Sequence, residues 1–217
     1  MRKTFLAITL FLAFSKAALA QFGNCTASEM RTYVDSATGN TITMLTDTMK
    51  NDRFLYQTDP MWTADGKYLL FRSSSRGNDK EVESTLPNGE KRKWTPTQIY
   101  FIEMATGKII QATEGPNLGS AFLANKTNRM FVSRKEKENW NMYVMDLNKF
   151  FADVKQGKVG KPSAYETFIG TFPTEMGRPG GYAVDCNDDY AYITVEREGT
   201  EAVSYTHLRA HETKANL

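Results

Sequence analysis

The chain has 217 residues, with 27 Lys and Arg against 25 Asp and Glu, a formal net charge of +2, and 41% apolar and 12% aromatic residues. That length and composition suit one domain with a proper core and exclude a disordered chain. The near balance of charge excludes a protein built to hold nucleic acid through its phosphates.

Met1 to Ala20 reads as an export signal. Arg2 and Lys3 form the basic start, Phe5 to Phe14 the apolar centre, and Ala18-Leu19-Ala20 a small-residue cleavage site. Cleavage after Ala20 is expected, placing the protein in a periplasm or outside the cell. The apolar run is too short to span a bilayer, so no membrane span is expected. Its removal takes away Arg2, Lys3 and Lys16 and no acid, so the basic excess disappears. Two cysteines remain, Cys25 and Cys186. An exported protein allows a disulfide between them, which would link the first and last units; two free thiols are the other reading.

Two motif series then recur along 21–202. The first is the hairpin Met61-Trp62-Thr63, Asp65-Gly66, Tyr68-Leu69-Leu70-Phe71. Asp-Gly supplies the positive φ angles of a two-residue turn, and an unbroken apolar run predicts a strand covered on both faces. Sixty-one residues after Tyr68 comes Arg129-Met130-Phe131-Val132-Ser133, and sixty-one further Tyr190-Ala191-Tyr192-Ile193-Thr194-Val195. The second series is a Thr-Gly turn, at Thr38-Gly39 after the strand Arg31 to Val34 and at Thr106-Gly107 after Gln98 to Ile102. One unit is therefore four strands in line, none able to bury its own faces. Such repetition predicts an all-β fold, a β-propeller, here an incomplete arc of about three four-stranded blades. Half a blade lies at Arg31 to Asp47, whole blades at Met61 to Glu114 and Leu118 to Phe172, and half of another at Gly180 to Glu196. A ring needs at least about four blades, so either another chain completes it or, the preferred reading, this is the N-terminal piece of a longer protein.

Ser74 to Thr97 is a long polar loop, and Lys149 to Pro162 replaces one Thr-Gly turn with a longer excursion. Loops of that length are lids or inserts. Val203 to Leu217 breaks the repeat and holds both histidines, His207 and His211. It shows no strand alternation and resembles translated sequencing-adapter read-through. Residues 203–217 are expected to be a non-native tail. The competing reading is a short helix with the histidines paired at i, i+4 on a metal.

In this strand order the loops between second and third strands, and between successive blades, open on one face of the ring. Arg72, Arg76, Arg134 and Arg178 fall on or beside that face. Arginine forks suit planar carboxylates, so an anionic ligand is expected there. No Gly-x-Ser-x-Gly elbow, phosphate-cradling glycine loop or zinc-spaced cysteine pair occurs. No catalytic residue and no metal ligand is assigned within the chain.

From Trp62 to Phe71 the hairpin resembles those of Tol-type and WD-like propeller repeats. Tyr33 to Thr46, the Asp-Gly hairpin ending Phe71-Arg72-Ser73, Tyr100 to Glu114, and Asn141-Met142-Tyr143-Val144-Met145-Asp146 together resemble the N-terminal half of oligogalacturonate lyases. The resemblance implies a seven-bladed parent that cleaves short pectin fragments by β-elimination. Its substrate would be a small anionic oligouronide. It also implies a manganese-type divalent ion held by histidines and a glutamine, all in blades beyond this chain, so this stretch is expected to bind no metal and to be inactive by itself. Arg72 and Arg134 are the positions offered as substrate contacts. The export signal departs from the many relatives that look cytoplasmic. Two rivals stay open: a non-enzymatic Tol-type propeller that binds a periplasmic protein, and the propeller of a prolyl-oligopeptidase-type peptidase.

Overall fold

Apolar and β-branched runs separated by turn residues become short antiparallel strands throughout. The structure is a computed structural model that describes residues 21–77, 80–85, 88–172, 179–196 and 203–209. Residues 1–20, read above as an export signal, and Arg178 and His211 lie outside the described residues. The described chain opens with β1 (Cys25–Thr26), the hairpin β2 (Arg31–Val34) and β3 (Thr41–Met44), and β4 (Asp52–Arg53). Then come β5 (Tyr68–Ser73), a second hairpin β6 (Val82–Thr85) and β7 (Lys91–Trp94), β8 (Gln98–Glu103) and β9 (Ile109–Gln111). The middle unit is β10 (Leu118–Leu123), β11 (Arg129–Glu136), β12 (Asn139–Asp146), the helix α1 (Leu147–Gln156) and β13 (Glu166–Phe172). Last are β14 (Pro179–Val184), β15 (Tyr190–Glu196) and β16 (Val203–Arg209).

These strands form three blade sheets, in the orders β1-β9-β8-β5-β4, β10-β11-β12-β13 and β14-β15-β16, plus the two separate hairpins. The result is the expected all-β arc of propeller blades. Its first blade departs from expectation in three ways. The inner strand is split: Asp52 and Arg53 pair with Ser73 and Arg72, whereas Trp62 meets Leu69 after an excursion through residues 54–60. The turn is also longer than the two residues expected. Thr63 N donates to Tyr68 O at 3.0 Å, and the Thr63 hydroxyl both accepts from Tyr68 N at 3.1 Å and donates to Asp65 Oδ1 at 2.7 Å. Only Gly66 of the Asp-Gly pair has a positive φ, 68°. Finally, Cys25 and Thr26 add a fifth strand at the outer edge, opposite Ile110 and Ile109.

Both long connections contain regular elements among the described residues. Within 74–97 lies the hairpin β6–β7. The excursion after β12 is α1, which Asp146 caps by accepting from Lys149 N at 3.1 Å and which ends at Gly157 in the left-handed region. Phe151 of α1 stacks on Tyr68 of the first blade at 3.6 Å and meets Phe101 edge-on at 5.1 Å. Lys155 pairs with Glu103 at 2.9 Å. The helix thus fastens the second blade to the first.

Alternation in β11 shows how the blades stack. Met130 and Val132 face one core with Leu70, Phe101, Phe150 and Phe151; Phe131 faces a second core with Phe122, Phe172 and Ile193. Both faces of the middle sheet are covered, as a blade requires. Burying a side chain such as Phe131, fully inaccessible, contributes about 2 to 3 kcal/mol. Residues 203–209, where no strand was expected, pair along their whole length with β15, from Val203 opposite Glu196 to Arg209 opposite Tyr190. Cys25 and Cys186 are both free and exposed. No described helix is long and apolar enough to cross a membrane.

Candidate functional site

The inner edge strands of the three sheets are β4, β10 and β14, and a cleft of about 1030 Å³ runs along them. Arg53 comes from β4, Leu118 to Phe122 from β10, and Gly181 and Tyr182 from β14. The hairpin β6–β7 contributes Ser84, Arg92 and Trp94, and the excursion in the first blade contributes Tyr56 and Asp59.

Arg53 and Arg72 are the centre of its electrostatics. They are direct partners in the β4–β5 ladder, so their side chains leave the same face of the sheet, and both are exposed to solvent in the cleft. Like charges directly opposite each other destabilise a sheet. Arg53 Nε donates to Asn51 Oδ1 at 3.3 Å. Among the described residues no carboxylate lies within ion-pair distance of Arg53, Arg72 or Arg92. Asp59 is the one acid among the described lining residues.

The other arginines of this face have different work. Arg76, with a side chain 6% exposed, is held by Glu29 and Asp52 and lies over the Phe71 ring at 5.3 Å. Its hydrogen bonds are the largest cause that lowers the Glu29 carboxyl to about 2; the Asp47 amide assists, and burial opposes. The same two carboxylates push the Arg76 pKa upward against burial. Arg134 donates through both terminal nitrogens to Glu166, whose side chain is 3% exposed, and lies over the Tyr143 ring at 5.8 Å. It does not line the cleft. Of the two positions offered as substrate contacts, the structure places Arg72 in the cleft and Arg134 in an ion pair beside it.

Arg53, Arg92 and Trp94 were not singled out from sequence. Arg53 lies in a connection already assigned to this face, but its position opposite Arg72 depends on the split inner strand. Arg92 lies in a Lys-Arg-Lys run whose plainest reading is a solvated loop tip.

The described lining holds no histidine, lysine or cysteine. No three of His, Cys, Asp and Glu come together elsewhere among the described residues. These residues do not make a metal centre, and no chemical step is assigned to one here. What the arrangement can do is hold an anion: three arginines line a cavity whose described wall also carries four aromatic residues, Tyr56, Trp94, Phe122 and Tyr182.

A cleft bordered by the inner edges of successive antiparallel sheets, each packed face to face on the next, defines the chain as part of a β-propeller. It is similar in fold to an oligogalacturonate lyase in complex with manganese, with a TM-score of 0.58 and 19% identity over 82% of this chain and 39% of that one. It is also similar to oligogalacturonate lyase from Vibrio parahaemolyticus, with a TM-score of 0.55 and 20% identity over 80% of this chain and 37% of that one. The chain therefore spans well under half the length of either structure. No family model matches the sequence, and no curated protein does. The likeness establishes the propeller fold.

Proposed function

We propose that this chain is the exported, carboxylate-binding part of an oligogalacturonate-lyase-like propeller, and that its cleft receives the uronate groups of short pectin fragments. The Arg53–Arg72 pair carries the reading. Two unneutralised guanidinium groups on directly opposed ladder positions repel each other, and a carboxylate between them replaces that repulsion with charge-assisted hydrogen bonds. Arg92 adds a third positive group for the next uronate, and Trp94 and Tyr56 supply flat apolar faces for sugar rings. An arginine beside a uronate carboxylate also lowers the cost of the negative charge that builds when the neighbouring proton leaves, so the pair would assist a β-elimination in the whole protein. The fold likeness to two oligogalacturonate lyases supports this reading.

The test is calorimetric titration of the protein with trigalacturonate and with its neutral methyl ester. Binding of the acid, weakened by salt, with much weaker binding of the ester is expected. Equal binding of both, or of neither, would remove the uronide reading and favour a propeller that binds a protein partner. The product of the parent gene, read past the codon for Ala202, is then assayed on digalacturonate with manganese for the ultraviolet absorbance of an unsaturated product.

A further inference from the structure

Gln21, the residue after the expected cleavage site, is held at both ends. Its main-chain nitrogen donates to Glu114 Oε2 at 3.0 Å, and Phe22 N donates to the same oxygen at 3.1 Å. Its side-chain carbonyl accepts from Gln111 Nε2 at 3.3 Å. The following residues fix this position firmly. Phe22 is buried, with its ring 5.0 Å from Phe150 and 5.8 Å from Tyr165. Gly23 N donates to Gln111 O at 2.7 Å, and Gln111 N to Asn24 O at 2.9 Å. The start of the mature chain would be built into the outer edge of the first blade.

Resting on the export reading above, we propose that cleavage after Ala20 creates an ion pair between the new α-ammonium of Gln21 and the Glu114 carboxylate, and that this pair protects Gln21 from closing to pyroglutamate. In that closure the neutral α-amine attacks the side-chain Cδ. A nitrogen–carbon bond closes the five-membered lactam, and the side-chain nitrogen leaves as ammonia, taking a proton from the amine. The reaction needs the amine's lone pair. A carboxylate at hydrogen-bonding distance favours the ammonium form, which has none. An α-amine ordinarily titrates near pH ~8, so some neutral amine would otherwise be present at neutral pH. The hydrogen bond from Gln111 restrains the amide that would be attacked. Cleavage also adds a full positive charge to the donor of a bond whose acceptor is already a carboxylate, turning it into an ion pair. Maturation would thus tighten the edge of the first blade.

The exported protein is purified, its N-terminus read by Edman degradation, and its intact mass followed at neutral pH. The expected result is an unblocked Gln21 that loses ammonia at least about tenfold more slowly in the native protein than in guanidinium chloride, the effect of a one-unit rise in the amine's pKa. Glu114→Gln is expected to bring the native rate up towards the unfolded one, with circular dichroism showing that the variant folds. Equal rates for native and unfolded wild-type protein overturn the proposal even if the variant fails to fold. A mature terminus at another residue overturns the cleavage reading itself, a result told apart by the residue sequenced first.

Discussion

The Asp188 carboxylate accepts both the amide and the hydroxyl of Thr127, at 2.7 and 2.9 Å, from a turn 61 residues upstream. Asn125 N and Lys126 N donate to the same carboxylate at 2.7 and 2.8 Å. Asp188 is fully buried and has a φ of 64°. It joins the turn of the third blade to the turn of the second. Asp188→Ala leaves three amides unanswered and a side chain poorly suited to the left-handed region, so a loss of about 3 kcal/mol or more is expected. Asp188→Asn keeps one acceptor and tolerates that backbone, and should lose about half as much. Urea denaturation measures both; a loss under about 1 kcal/mol for the alanine variant would show that the blades are held elsewhere.

Arg76 makes a second prediction, about acid. Glu29 is lowered from its ordinary 4.5 to about 2. A carboxyl depressed on folding contributes stability that is fully present above its unfolded value and disappears as pH falls through the folded one. Melting temperature should therefore fall between about pH 4.5 and 2. Glu29→Gln should melt lower at neutral pH and show a flatter acid limb. Arg76→Ala leaves Glu29 and Asp52 facing each other without the cation and should cost about 3 kcal/mol. An unchanged acid limb in Glu29→Gln would count against the clamp.

The turns were legible because their chemistry is local. Thr63 N to Tyr68 O, Ala124 N to Arg129 O and Asp185 N to Tyr190 O are each 3.0 Å, and each pair lies 61 residues after the one before. The Thr-Gly turns repeat as well: Asp35 N meets Asn40 O at 2.8 Å, and Glu103 N meets Lys108 O at 2.9 Å. The arginines were not legible in the same way. Whether one is free or neutralised depends on a carboxylate far along the chain, 47 residues away for Arg76 with Glu29 and 32 for Arg134 with Glu166. Cys25 and Thr26 are too short to announce a strand and form one only because β9 offers an open edge. The hairpin β6–β7 was hidden by its polar composition. Its strands Val82–Thr85 and Lys91–Trp94 bury little, so no apolar pattern marks them.

Arg72 and Arg134 should part company on substitution. Arg72→Gln removes one of two opposed charges, so it should bind trigalacturonate about 2 kcal/mol more weakly, roughly thirtyfold, while melting slightly higher than wild type. Arg134→Ala exposes the buried Glu166 carboxylate to an empty site and should lower the melting temperature, with little direct effect on binding. Titration calorimetry and thermal melts on both variants separate the roles. If Arg72→Gln binds as wild type does, the cleft is not a uronate site.

The hairpin β6–β7 yields the last prediction, because it contributes to the cleft without contributing to a blade. Among the described residues neither strand pairs with the other sheets, yet Arg92 and Trp94 line the cavity. Trp94→Ala should therefore cost about 1 kcal/mol in oligogalacturonate affinity through lost ring contact, and leave the melting temperature within about a degree of wild type. Arg92→Ala should weaken digalacturonate more than galacturonate itself, because Arg92 meets the uronate next to the one held between Arg53 and Arg72. Its effect should shrink as salt is raised, because Arg92 is exposed and its attraction is screened. Equal losses for the two ligands would place Arg92 at the same uronate as the ladder pair. No loss for either would make the hairpin a bystander, and the cleft would end at the first blade.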